Sequence, residues 1–85
     1  MIRGVYLIRD TALGAFLIPM FFQSEGVARR SFTDEVNRSA ADNMMNKHPE
    51  HFQLYYSGTY DDENGVFDLL PAPQFLVDAQ SVFVA

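Results

Sequence analysis

Cysteine and tryptophan are missing from the chain, lysine occurs once and histidine twice. Without cysteine there is neither a disulfide framework nor a thiolate metal site, a composition that fits a reducing cytosol. Six Lys and Arg face eleven Asp and Glu, for a net charge of −5. Sequence-independent nucleic-acid binding depends on clustered cations that neutralise phosphates, so this balance is poorly suited to it. Long apolar runs are absent too. The run VYLI near the start is too short for a signal-peptide core, and nothing approaches the roughly 18 uninterrupted apolar residues of a membrane span. No Gly-rich phosphate loop, nucleophile elbow or Ser/His/Asp pattern occurs. The expectation is a non-enzymatic protein with no cofactor and no membrane partner.

What is present is apolar mass. The 85 residues are 48% hydrophobic, with eight Phe and four Tyr, enough to fold as one domain that buries about 60% of its unfolded surface. Its organising stretch is Ala15 to Asn37. Residues 15–22 hold Phe16, Leu17, Ile18, Met20, Phe21 and Phe22 without a charge, and need cover on both faces. The next segment supplies part of it, because Ala28, Phe32 and Val36 recur every four residues as the apolar stripe of a helix. Ser24 is its predicted N-cap, with Glu25 favouring the positive end of the dipole.

The remaining elements follow from alternation and turn chemistry. Arg3 to Asp10 reads as a strand with Tyr6 and Ile8 on one face and Val5 and Leu7 on the other, hence central or covered on each side. Asp10 to Gly14 is a turn, and residues 15–22 return as a second strand in which Pro19 marks an edge or a bulge. Residues 39–46 form one or two irregular turns. Phe52, Leu54, Tyr56 and Tyr60 alternate with Gln53, Tyr55, Ser57 and Thr59 as a half-buried third strand. Asp61 to Gly65 is a hairpin turn with an Asn-Gly signal, and residues 66–70 pair back until Pro71 and Pro73 end the strand. Gln74 to Val84 is either an extended tail or a short helix, the helix being favoured because residues 75, 79, 82 and 83 share one face. The predicted fold is therefore α+β: a four-stranded antiparallel sheet in hairpin–helix–hairpin order with one main helix. Residues 1–70 are the domain and 71–85 a C-terminal appendage.

Charge separates along the chain. Five arginines in residues 1–43 balance five acids, whereas Lys47 in residues 44–85 faces six acids. The best basic patch is Arg29 and Arg30 on the helix, with Arg38 near its end. Arg30 lies 200° from Ala28 and is predicted to face solvent with Asp34 as its i,i+4 partner. With Tyr55 as a stacking ring, these are the candidate nucleic-acid contacts. The surplus apolar residues Phe16, Ile18, Met20, Phe22, Phe75 and Phe83 are the candidate interface of a homodimer, the alternative being cover by the chain's own tail. His48 and His51, three apart with Glu50 between them, supply two thirds of a zinc ligand set with no cysteine or third histidine to complete it, so a capped turn with surface histidines is expected. Residues Asp61 to Asn64 lack the full spacing of a calcium loop and read as a solvated hairpin tip.

The order of pieces also resembles a known family. YLIRDTALGAFLIPMFF, a helix with Gly26, Ala28, Arg30, Phe32, Asp34, Val36 and Asn37 at fixed spacing, KHPEHF, and LYYSGTYDDENG together resemble the small nonstructural protein of gokushovirus-type microviruses, tailless single-stranded DNA phages. The resemblance covers about residues 3–67. It implies a non-virion protein of the infected bacterial cytoplasm, acting in genome replication or in the switch to single-stranded DNA packaging. Three ways of acting are open: protein contacts with viral replication or assembly proteins and self-association; direct single-stranded DNA binding; or inhibition of a host protein through the acidic hairpin Asp61 to Glu63.

Overall fold

Two turns of one design set up the sheet. In each, an aspartate and a glycine four residues on close the chain: the Gly14 N–H donates to the Asp10 carbonyl at 2.9 Å and the Gly65 N–H to the Asp61 carbonyl at 2.8 Å. Both glycines take the left-handed φ values, 74° and 69°, that such a turn requires. The aspartate side chains accept from the backbone two residues on, Asp10 from Ala12 and Asp61 from Glu63, each at 3.0 Å.

A computed structural model describes residues 1–84. β1 (Ile2–Asp10) is followed along its edge by β2 (Ala15–Phe16) and β3 (Met20–Phe22), then come α1 (Glu25–Asn37), the short α2 (Met44–Lys47), a 3-10 turn (Pro49–His51), β4 (Phe52–Asp61), β5 (Val66–Asp78) and a four-residue α3 (Ala79–Val82). All pairings are antiparallel. β2 and β3 both pair with β1, so the sheet is four strands wide in the order β2/β3, β1, β4, β5. The α+β, hairpin–helix–hairpin reading holds, and β1 is central as its two apolar faces require. Pro19 sits in the three-residue gap between β2 and β3, where the pairing slips by one residue and only the Leu17 N–H reaches β1, at the Ile8 carbonyl.

One face of the sheet is buried under α1. Ala28, Phe32 and Val36 meet Tyr6, Ile8, Phe52 and Leu54, with Met45 and Ala79 closing the ends. Ser24 caps α1 by accepting from the Val27 N–H. The last turn of α1 holds no basic residue, and asparagine amides take most of the orphan carbonyls there. Buried Asn43 donates to the carbonyls of Glu35 and Arg38, both at 2.8 Å, while its Oδ1 caps α2. Asn46 donates to Val36, and Asn37 joins α1 to the chain's end by donating to the Val82 carbonyl and accepting from Val84.

The structure departs from the sequence reading after residue 65. Pro71 and Pro73 do not end the fourth strand. Leu69 pairs with Gly58 and Gln74 with Tyr56, so residues 70–73 loop out opposite Ser57 and the strand resumes. β5 is an edge strand, and a proline in its bulge removes no ladder hydrogen bond. The expected helix over 74–84 shrinks to residues 79–82, because residues 74–78 are held in the ladder by β4. Leu76, Val77, Val82 and Phe83 of the expected appendage pack against the same core as residues 1–70; Ala85, its last residue, lies outside the described residues. Tyr60 is also displaced. β4 carries a bulge between Tyr56 and Gly58, which inverts the alternation beyond it, so Tyr60 shares a face with Tyr55 and not with Phe52.

Candidate interaction surface

Among the described residues, no helix covers the face of the sheet opposite α1. Its composition follows from register. Val5, Leu7 and Arg9 alternate on β1 with the helix-facing Tyr6 and Ile8, and their partners on neighbouring strands share their side: Phe21 and Phe16 across one edge, Tyr55 across the other. β4 passes the same side to β5, pairing Tyr55 with Phe75 and Tyr60 with Phe67. Six rings thus gather on one face in two groups. Phe16, Tyr55 and Phe75 make a file with centroids 5.1 and 5.8 Å apart, both edge-on. Phe21, Tyr60 and Phe67 form a triangle of 5.4, 4.6 and 6.2 Å. Such separations are those of favourable aromatic pairs, which lock the rings against one another while leaving their outer surfaces bare. Phe16, Phe21, Phe67 and Phe75 remain 38–53% exposed, so each group presents large apolar side chains to solvent on the same face, a concentration that marks interaction sites.

Cations are sparse on this face. Arg9 lies over the Phe16 ring at 5.0 Å, a cation–π contact. Arg3, at the far end, donates to Asp62 at 3.0 Å. Asp62 is held below the ordinary carboxylate range by the Met1 amino group, at 2.7 Å, and by Arg3. Asp61 is lowered by its own turn, through the Asn64 side chain and the Glu63 N–H. The acidic hairpin is therefore partly neutralised by the start of β1.

The structure divides the residues expected to touch nucleic acid. Tyr55 belongs to the open face, whereas Arg29 and Arg30 on α1 and Arg38 at its C-cap lie on the other side of the sheet. Two of those arginines are engaged: Arg29 pairs with Glu25 at 2.9 Å and Arg38 with Glu35 at 2.6 Å. Arg30 is exposed, and the expected Arg30–Asp34 pair is replaced by Arg29–Glu25, in the favourable orientation with glutamate four residues N-terminal to the cation. No single surface unites Tyr55 with these three arginines. The expected interface residues divide likewise. Phe16 and Phe75 stand on the open face, Met20, Phe22 and Phe83 pack against the core beneath α1, and Ile18 projects from the gap beside Pro19, 85% exposed. Sequence reasoning missed Phe21, Tyr60 and Phe67. For Tyr60 the signal was Gly58, a lone glycine in a strand pattern, which marks a bulge.

The cleft between α1 and β3, of about 180 Å³, is lined by Ile8, Met20, Phe22, Ser31, Phe32 and Glu35. It is smaller than the roughly 300 Å³ at which small-molecule pockets begin, and Ile8 and Phe32 of its wall belong to the core while Met20 and Phe22 pack against it.

Comparison with known proteins adds one finding. No curated protein and no solved structure matches the chain, while the family model described as Phage ORF5 protein matches residues 3–82. A match over nearly the whole chain, from β1 to α3, assigns it: this protein belongs to the Phage ORF5 protein family.

Proposed function

We propose that this phage protein acts by protein contacts, self-associating through the open face of its sheet, in the replication of a single-stranded DNA genome or in the switch to packaging it. The observation that carries this reading is the aromatic face, which no described element covers and whose phenylalanines stay exposed. Burying such a surface against a second copy is favourable at about 25 cal/mol per Å² of apolar area removed from water. An isologous pairing needs only one self-complementary patch. The acidic balance favours polypeptide over phosphate partners, and the place in a microvirus cycle rests on the sequence resemblance. The setting is the bacterial cytoplasm, with viral replication or assembly proteins as further partners.

The second reading, a direct single-strand binder, is favoured by one feature: half-buried Tyr55 between exposed Phe16 and Phe75, beside Arg9 on an antiparallel sheet, can stack bases. Light scattering of the tag-free protein separates the two. Self-association predicts a dimer mass that the double variant Phe16→Ser, Phe75→Ser reduces to a monomer with unchanged circular dichroism. A monomeric wild type that binds a labelled oligonucleotide, with affinity falling steeply in salt and lost in Arg9→Ala, replaces the first reading with the second.

A further inference from the structure

The 3-10 turn ahead of β4 brings together the chain's two histidines and a glutamate. Residues three apart on a 3-10 helix eclipse one another, so the rings of His48 and His51 stack, with centroids 5.5 Å apart and planes within 23°. Glu50 lies against both, its Oε1 3.4 Å from His48 Nδ1 and 4.0 Å from His51 Nε2. One donor atom from each of the three residues lies within 4.8 Å of the others. Around a tetrahedral zinc ion with bonds of about 2.0–2.1 Å, donors stand roughly 3.3 Å apart. The first pair is already at that spacing, and the others need side-chain adjustments of about an ångström or less for each donor.

The backbone beneath these side chains is fixed. Pro49 is buried and opens the turn, the His51 N–H donates to the His48 carbonyl at 3.0 Å, and the His48 N–H donates to Met44 at 2.8 Å. Thr11, from the first hairpin turn, donates to the His51 carbonyl with both its N–H, at 2.8 Å, and its Oγ1, at 3.0 Å. The three side chains above this backbone are themselves about half exposed. Among the described residues Glu50 meets no arginine or lysine, so its carboxylate is engaged only by the two imidazoles.

We propose that His48, Glu50 and His51 form a surface binding site for a divalent transition-metal ion. Two neutral imidazole nitrogens and one carboxylate oxygen suit zinc, and also copper or nickel. They do not suit calcium or magnesium, which take all-oxygen shells. Three protein ligands leave a coordination position open to solvent or to a donor atom of another molecule. The consequence for the fold is local: the ion ties together the turn that connects α2 to β4.

The test is calorimetric titration of the tag-free full chain with zinc chloride, with calcium chloride and magnesium chloride in parallel. One zinc per chain is expected, with no heat from calcium or magnesium. His48→Ala and His51→Ala should each weaken zinc by about tenfold or more, and Glu50→Gln by less. Zinc should also shift the imidazole nitrogen resonances of His48 and His51 in the wild type, a readout that needs no variant. Two results overturn the proposal: no zinc binding at millimolar concentration, or binding that persists in the folded His48→Ala, His51→Ala double variant with resonance changes at Asp61 to Glu63.

Discussion

At the scale of single residues, the most informative contacts are those that hold the second hairpin tip to the start of β1. The Asp62 carboxylate is depressed, first by the Met1 amino group and then by Arg3. The amino group is correspondingly raised, mainly by Asp62. A carboxylate whose folded pKa lies below its unfolded one contributes stability that is complete above the ordinary value and disappears as pH falls through the folded value. A raised amine contributes fully below its ordinary value of 8.0 and fades as pH climbs through the higher folded one. The tether is thus whole between about pH 4 and 8 and weakens outside that window. An NMR titration of the Asp62 side chain should find a midpoint below that of aspartate in an unstructured peptide, and Arg3→Ala should raise it part of the way back. A midpoint at or above the peptide value would refute the pairing.

At the scale of elements, β4 and β5 show where sequence patterns stop being readable. Their strand character, the Asp-to-Gly turns, the Ser24 cap and the Ala28, Phe32, Val36 stripe were legible because each depends on residues within one turn or one alternation of each other. The parity of Tyr60 was not, since it depends on a bulge whose position is fixed by pairing with β1, a segment about fifty residues earlier. The passage of β5 through Pro71 and Pro73 was hidden for a similar reason: a proline looks like a stop until the neighbouring strand shows that no ladder bond was needed there. The arginines were misjudged because helix numbering gives the face of α1 but not the side of the sheet on which Tyr55 emerges. Gly58 is the hinge of these differences. Its φ is +134°, and a Cβ there would collide with the Asp68 carbonyl and sit 2.7 Å from Leu69 Cα. Gly58→Ala should cost about 2 kcal/mol or more, from the forced conformation and the clash together. Gly26→Ala, on the exposed side of α1 where only Ser24 Oγ comes within 3.9 Å, should be neutral or slightly stabilising. Urea unfolding of the two variants gives the comparison, and equal midpoints would remove Gly58 from this role.

At the scale of the whole molecule, the chain is an elongated body of 41 × 23 × 20 Å, with its cover at one end. Beyond the core, even the helix-side face is bare, since Ile2 and Val66 are 56% and 57% exposed. Two uncovered regions in so small a protein tie its stability to its concentration, if the proposed pairing on the open face holds. A species that gains burial only as a dimer is stabilised by mass action. The melting temperature should therefore rise as protein concentration increases from micromolar to hundreds of micromolar, and the Phe16→Ser, Phe75→Ser variant should lose that dependence. A wild-type transition that stays put over this range contradicts self-association.

The looped-out prolines of β5 bear on what such association can become. A strand with an open hydrogen-bonding edge invites the next molecule to extend it, and the next, without limit. Here that edge is broken at its middle by two residues that cannot donate, and the opposite margin is interrupted at Pro19. Growth sideways is thwarted at both borders, whereas two faces laid together occlude each other and finish. In the proposed self-association the prolines would thus favour closed pairs over fibres.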